Sequence, residues 1–155
     1  MHGFAGTGGI ERELKQPSIK LVDPAKSETA QMTRKEVVEK QLVFIEHAYE
    51  KVRELPQTDD TKDILGASLA LYEYVLPVYK NEYQQLARLY DAGAPESEIE
   101  AFRKHIRDRY KVGFQSHMDA LLVAGKSYAA QQGIKVNWNA GGVSKNPDSI
   151  TSQEP

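Results

Sequence analysis

The sequence predicts an all-α fold: an antiparallel three-helix bundle with helices over 34–55, 60–92 and 95–132, an N-terminal wrapping segment over 1–32 and a polar, disordered tail over 139–155. Three observations carry this. In the central stretch Leu65, Leu69, Tyr72, Leu76, Tyr79, Tyr83, Leu86 and Tyr90 recur at unbroken alternating intervals of four and three, the a/d spacing of a helix buried along one seam. Thr33-Arg34-Lys35-Glu36 fits a capping box, in which a threonine hydroxyl and the glutamate three residues on satisfy free helix-end amides reciprocally. The breaks at Pro56–Asp59 and Gly93–Pro95 are short, and short connections make consecutive helices antiparallel neighbours.

Taken in order, Met1–Gly9 is glycine-rich and has neither the preceding strand nor the following Lys-Ser/Thr that a phosphate-cradling loop needs, so it reads as a loose end. Ile10–Gln16 allows two helical turns stopped by Pro17, and Ser18–Val22 alternates as a short extended piece ending at Asp23-Pro24. The first long helix starts at 33–34, with Met32 and Val37 placed as a hydrophobic staple. It buries Val38, Leu42, Ile45, Tyr49 and Val52, flanked by Val37, Phe44, Ala48 and Leu55. In the central helix Ile64, Leu71, Val75, Val78 and Leu89 widen the apolar arc to roughly 200°, against about 100° for a surface helix, so at least two neighbours must cover it. Pro77 removes one backbone bond there and predicts a kink. Gly93 caps this helix, and Pro95 with Glu96 and Glu98 opens the next. That last helix presents Ile99, Phe102, Ile106, Tyr110, Phe114, His117, Leu121, Ala124 and Tyr128 to the core, with Gly113 allowing a close approach, and closes at Gly133. Ile134, Val136 and Trp138 alternate as a short piece laid back on the helices.

The predicted lengths do not match. At about 1.5 Å per residue the helices span about 33, 48 and 57 Å, so the first cannot cover the other two. Tyr83, Leu86, Tyr90, Ile99 and Phe102 at the hairpin tip are left bare. The chain enters the first helix from that end, which makes Ile10, Leu14, Ile19, Leu21 and Val22 the local cover. Without that cover the tip is an apolar-aromatic partner site.

Composition bounds the function. With 155 residues and 40% hydrophobic content the chain suits one domain. Twenty basic against twenty-two acidic residues leave a formal charge of −2, which offers no global field for nucleic acid or an anionic membrane. The absence of cysteine removes disulfides, thiolate catalysis and cysteine-bound metals. No apolar run reaches the roughly 18 residues of a membrane span. The chain as written reads as cytoplasmic, with an exported domain that has lost its signal peptide as the alternative.

No catalytic, cofactor or metal signature is present. There is no Glu-x-x-His pair, no histidine pair at i, i+4 and no Gly-x-Ser-x-Gly setting. His117 faces the core as a histidine bonded to a neighbouring tyrosine or carbonyl, while His47 faces water. The basic stretch Arg103–Lys111 reads as a solvated face, with Glu100 four residues before Lys104 in register for an ion pair. Arg103 and Arg109, at the edge of the buried stripe, call for carboxylate partners, Glu73 or Glu82 on the facing helix. The expected function is therefore non-catalytic: a helical interaction module that binds a protein partner or self-associates, possible homodimers included. Its expected partner-binding residues are Tyr83, Leu86, Tyr90 and Phe102 at the tip, or Met118 and Leu122, with Val123, on the extra apolar face of the last helix. The alternative is a small-molecule-binding bundle using Tyr72, Tyr79, Tyr110 and His117, marked by a cavity of about 300 Å³ or more.

Overall fold

The computed structural model describes Phe4 and residues 9–136. Trp138 and the 139–155 tail lie outside these residues, as does most of the glycine-rich start. The described chain is mostly helical: α1 (Gly9–Lys15), a hairpin of β1 (Ile19–Asp23) and β2 (Glu28–Gln31), then α2 (Arg34–Arg53), α3 (Lys62–Val78), a π-helical turn (Tyr79–Tyr83), α4 (Gln84–Asp91) and α5 (Glu96–Gln131).

The start of α2 follows its predicted chemistry. Glu36 N–H donates to the Thr33 hydroxyl at 3.2 Å, and Thr33 N–H donates to the Glu36 carboxylate at 2.8 Å. Asp91, at the end of α4, accepts from the backbone N–H groups of Arg34 and Lys35 at 2.9 and 3.0 Å, which occupies further free donors of that helix end. At the other end of α2 the Tyr49 hydroxyl donates to Glu73 at 3.0 Å. These two links make α2 antiparallel to α3 and α4.

Pro77, where a kink was expected, lies inside α3, and the π-helical turn begins two residues beyond it. The Asn81 side-chain amide donates to the Pro77 carbonyl at 2.8 Å. Backbone angles stay helical through Val78, Tyr79, Tyr83 and Gln84, so α3, the turn and α4 form one helical path. Of its seam, Leu65, Leu76, Tyr79, Tyr83 and Leu86 are buried and Leu69, Tyr72 and Tyr90 half-buried, with Leu71, Val75, Val78 and Ala87 buried beside them. Gly93 (φ +68°) then takes the left-handed cap, with Ala94 N–H donating to Leu89 O at 3.0 Å. Gly133 (φ +65°) ends α5 in the same way, with Ile134 N–H on Ala129 O at 2.8 Å. The Ile134 side chain is 51% exposed and Val136 38%, so this stretch does not lie back on the helices as expected.

The N-terminal cover is where expectation and structure divide. Phe4, Ile10 and Leu14 are buried, in one cluster with Tyr79, Tyr83, Leu86, Ile99 and Ile106. Phe4 fits among the rings of Tyr74, Tyr79, Tyr83 and Phe114, with centroid separations from 4.8 to 6.4 Å. Ile19, Leu21 and Val22, expected in the same cover, stand in a solvent-exposed hairpin. That hairpin pairs Ile19 with Gln31 and Leu21 with Thr29, and slips register between Leu21 and Asp23. It is tied back to α2 by the Lys20–Glu36 ion pair.

Candidate functional site

The hairpin tip is closed. Tyr83 and Leu86 are fully buried, and Tyr90 and Phe102 are half-buried against the same cluster, so these four do not form the open partner surface the sequence suggested. The reason is α1, which sits between α2 and α5 and brings an acidic side chain with it. Glu11, 5% exposed, accepts from Arg103 Nε at 3.0 Å and also from Arg103 Nη2. Arg103 therefore takes its carboxylates from Glu11 and Glu100, not from Glu73 or Glu82. Glu73 binds the Tyr49 hydroxyl, and Glu82 accepts from the Tyr110 hydroxyl. Arg109 has no ion pair among the described residues and lies 5.4 Å over the Tyr110 ring. On the solvated side of α5, Lys104 pairs with Asp108 and Glu100 with Arg107, in place of the expected Glu100–Lys104 pair.

The tyrosines of the central helical path serve two different sides, bridged by the Phe4 ring. On the α5 side, the Tyr74 hydroxyl donates to the Tyr110 carbonyl at 3.2 Å, and its ring lies 4.8 Å from His117. Gly113 makes room for it: a Cβ there would fall 2.6 Å from Tyr74 Cζ. Burial, followed by the hydrogen bond to Glu82, pushes the Tyr110 hydroxyl above the usual phenol range. His117 is held by ring contact and makes no hydrogen bond among the described residues.

On the opposite side, Tyr72 and Tyr79 line a cleft of about 320 Å³ between α1 and α2. Ile10, Ile45 and Ala48 supply its apolar wall, and Arg12, Glu13 and Gln41 its polar rim. Gln41 Nε2 donates to both Glu13 oxygens at 3.2 and 3.4 Å, which fixes that carboxylate. Burial, with the Glu13 charge adding to it, drives the Tyr79 hydroxyl far above its ordinary pKa, so it stays protonated. The sequence-predicted ligand set is thus only half assembled: Tyr72 and Tyr79 line the cleft, and Tyr110 and His117 do not.

Beside this cleft is a feature that periodicity assigned wrongly. Phe44, placed on the buried flank of the first helix, is 71% exposed, and its neighbour Val43 is 66% exposed. With Lys40 and His47 they form an outer strip on α2 over an open depression that shares Phe44 and Gln41 with the cleft. A signal for this was present: Leu42-Val43-Phe44-Ile45 is apolar on every side of a helix, and one buried face cannot take all four. On α5, Met118 packs against the core while Leu122 is 40% exposed and Val123 69%, continuing an outer strip from Val112 at 79%.

Among the described residues no group of three or more His, Asp or Glu side chains is placed to hold a metal ion, and no helix is long and apolar enough to cross a membrane. No protein-family model, curated protein or solved structure matches the chain.

Proposed function

We propose that this chain is a non-catalytic helical interaction module that docks protein through the outer strip of α2, with a second copy of itself as the simplest occupant. The frame for this reading is α2, the α3–α4 path and α5 taken as one antiparallel three-helix bundle, with α1 as a short fourth member. The observation that carries it is the adjacent pair Val43 and Phe44, each about two-thirds exposed in the middle of a well-capped helix. An aromatic anchor beside a concave surface, ringed by longer polar side chains, is the usual make-up of an interface centre. Leu122 and Val123 on α5 offer a second apolar strip for the same purpose.

Sedimentation equilibrium with Phe44→Glu and Leu122→Glu is the test. The expected result is an associated wild type that Phe44→Glu converts to monomer with helicity unchanged, while Leu122→Glu reports whether α5 shares the contact. Association that survives Phe44→Glu overturns α2 as the docking face. A chain monomeric at every concentration leaves a foreign protein as the occupant. One observation favours a second reading, small-molecule binding: the cleft lined by Tyr72 and Tyr79 is about 320 Å³, inside the range of roughly 300–1,000 Å³ that ligand sites occupy.

A further inference from the structure

The cleft between α1 and α2 holds an unusual group. Tyr79 is 2% exposed, yet its hydroxyl makes no hydrogen bond among the described residues. The Tyr90 hydroxyl also has no partner among the described residues but is sealed within protein, whereas Tyr79 is one of the residues that line the cleft. A polar atom this deep costs stability unless something bonds it, and the cleft is where that partner would sit.

Two charged side chains flank the same space. Arg12 is exposed at the rim and makes no ion pair among the described residues. Glu13 is fixed by Gln41, with no cation within ion-pair distance among the described residues. The cleft therefore presents two donors, the Arg12 guanidinium and the Tyr79 hydroxyl, and one charged acceptor, Glu13, over a floor of Ile45, Ala48 and Tyr72. A ligand that satisfies all of them carries a carboxylate, an ammonium and an apolar body. The cleft, at about 320 Å³, has room for a molecule of amino-acid size.

We propose that this cleft binds a free α-amino acid with an apolar side chain. Its carboxylate accepts from Arg12 and Tyr79, its ammonium donates to Glu13, and its side chain lies on Ile45, Ala48 and Tyr72. The proposal rests on the small-molecule reading above and specifies its ligand.

Isothermal titration calorimetry of the full chain tests it with L-phenylalanine and L-leucine, against 2-phenylethylamine, 3-phenylpropionate and N-acetylphenylalanine amide. Each comparison compound removes one charge or both. The expected result is binding of at least one amino acid, with the three comparison compounds weaker by roughly tenfold or more, since each lost charge-assisted bond counts for about that much. Tyr79→Phe, Arg12→Gln and Glu13→Gln should each weaken amino-acid binding by roughly tenfold. Tyr79→Phe removes a buried hydroxyl with no described protein partner, so its thermal midpoint should equal or exceed that of wild type, and a lost signal cannot be ascribed to unfolding. Equal binding of a singly charged or capped compound, or no effect of Tyr79→Phe, overturns the amino-acid assignment and leaves an apolar cleft. No binding by any compound up to its solubility limit overturns both the assignment and the small-molecule reading.

Discussion

Leu14→Ala tests whether α1 is core. Leu14 is fully buried, and its backbone carbonyl accepts from Arg34 Nε at 3.2 Å. The same turn is held to α5 through Glu11 and Arg103. With the backbone pinned at both points, α1 cannot sink into the space that the lost methyl groups leave. The cost should fall in the middle of the roughly 2–5 kcal/mol range for buried Leu→Ala changes, about 3–4 kcal/mol. For a chain of this size that is a drop of roughly 6–16 °C in thermal midpoint. Ile19→Ala is the matched control: it lies five positions on, with a side chain 73% exposed, and should change stability by less than about 0.5 kcal/mol. Denaturant titration of both variants, followed by far-UV circular dichroism, reads the difference directly. Equal losses at the two positions, or a Leu14→Ala midpoint within error of wild type, would refute the claim that α1 closes the tip while the hairpin lies outside.

Three further outcomes follow from named contacts. Thr33→Ala removes the acceptor for Glu36 N–H and should destabilise by about 1 kcal/mol in denaturant titration. The Lys20 ammonium, then the Thr33 amide, hold the Glu36 carboxyl below the usual carboxylate range. Its contribution is therefore complete above the unfolded-state pKa and is lost as pH falls through the depressed folded value. Glu36→Gln should flatten part of the acid limb of stability below about pH 5, and an unchanged limb would mean the pair contributes nothing in solution. Gly113→Ala gains up to about 1 kcal/mol of helix propensity but drives a methyl into the Tyr74 ring, an overpacking cost of roughly 1–3 kcal/mol. It should be net destabilising in the wild type and stabilising in a Tyr74→Ala background, which a double-mutant cycle would show.

Much of the frame was legible because it is written in local chemistry. The capping box at Thr33, the left-handed glycines at 93 and 133 and the four-three seam from Leu65 to Tyr90 each act over a few residues, and each appears where the sequence puts it. Long-range partners were less legible. Arg103 was recognisable as a buried-edge cation, but its carboxylate is 92 positions away on α1, and no spacing rule reaches that far. The glycine-rich surroundings of Phe4 signal a loose end, although a single ring can be held by four aromatic neighbours whatever its local propensity. The hairpin misled in the opposite direction: Ile19, Leu21 and Val22 are apolar, but among the described residues β1 pairs with β2 alone, and these side chains are exposed. For the candidate site, Tyr72 and Tyr79 were identified, while Tyr110 and His117 follow a helix on the other side of the central seam. Phe44 falls on the flank of the predicted buried stripe, and one helical step of about 100° separates it from buried Ile45 and turns it out.

Photo-crosslinking from position 44 tests the central claim, that the outer strip of α2 is where this chain meets protein. A benzophenone amino acid replaces Phe44 in the full chain, expressed in the cells it comes from, with the same probe at exposed Glu98 as control. The expected result is one discrete adduct from position 44, absent from position 98 and lost when Val43→Glu is added; its mass distinguishes a second copy from a foreign protein. No adduct at position 44, or the same pattern of adducts from both positions, would contradict the account.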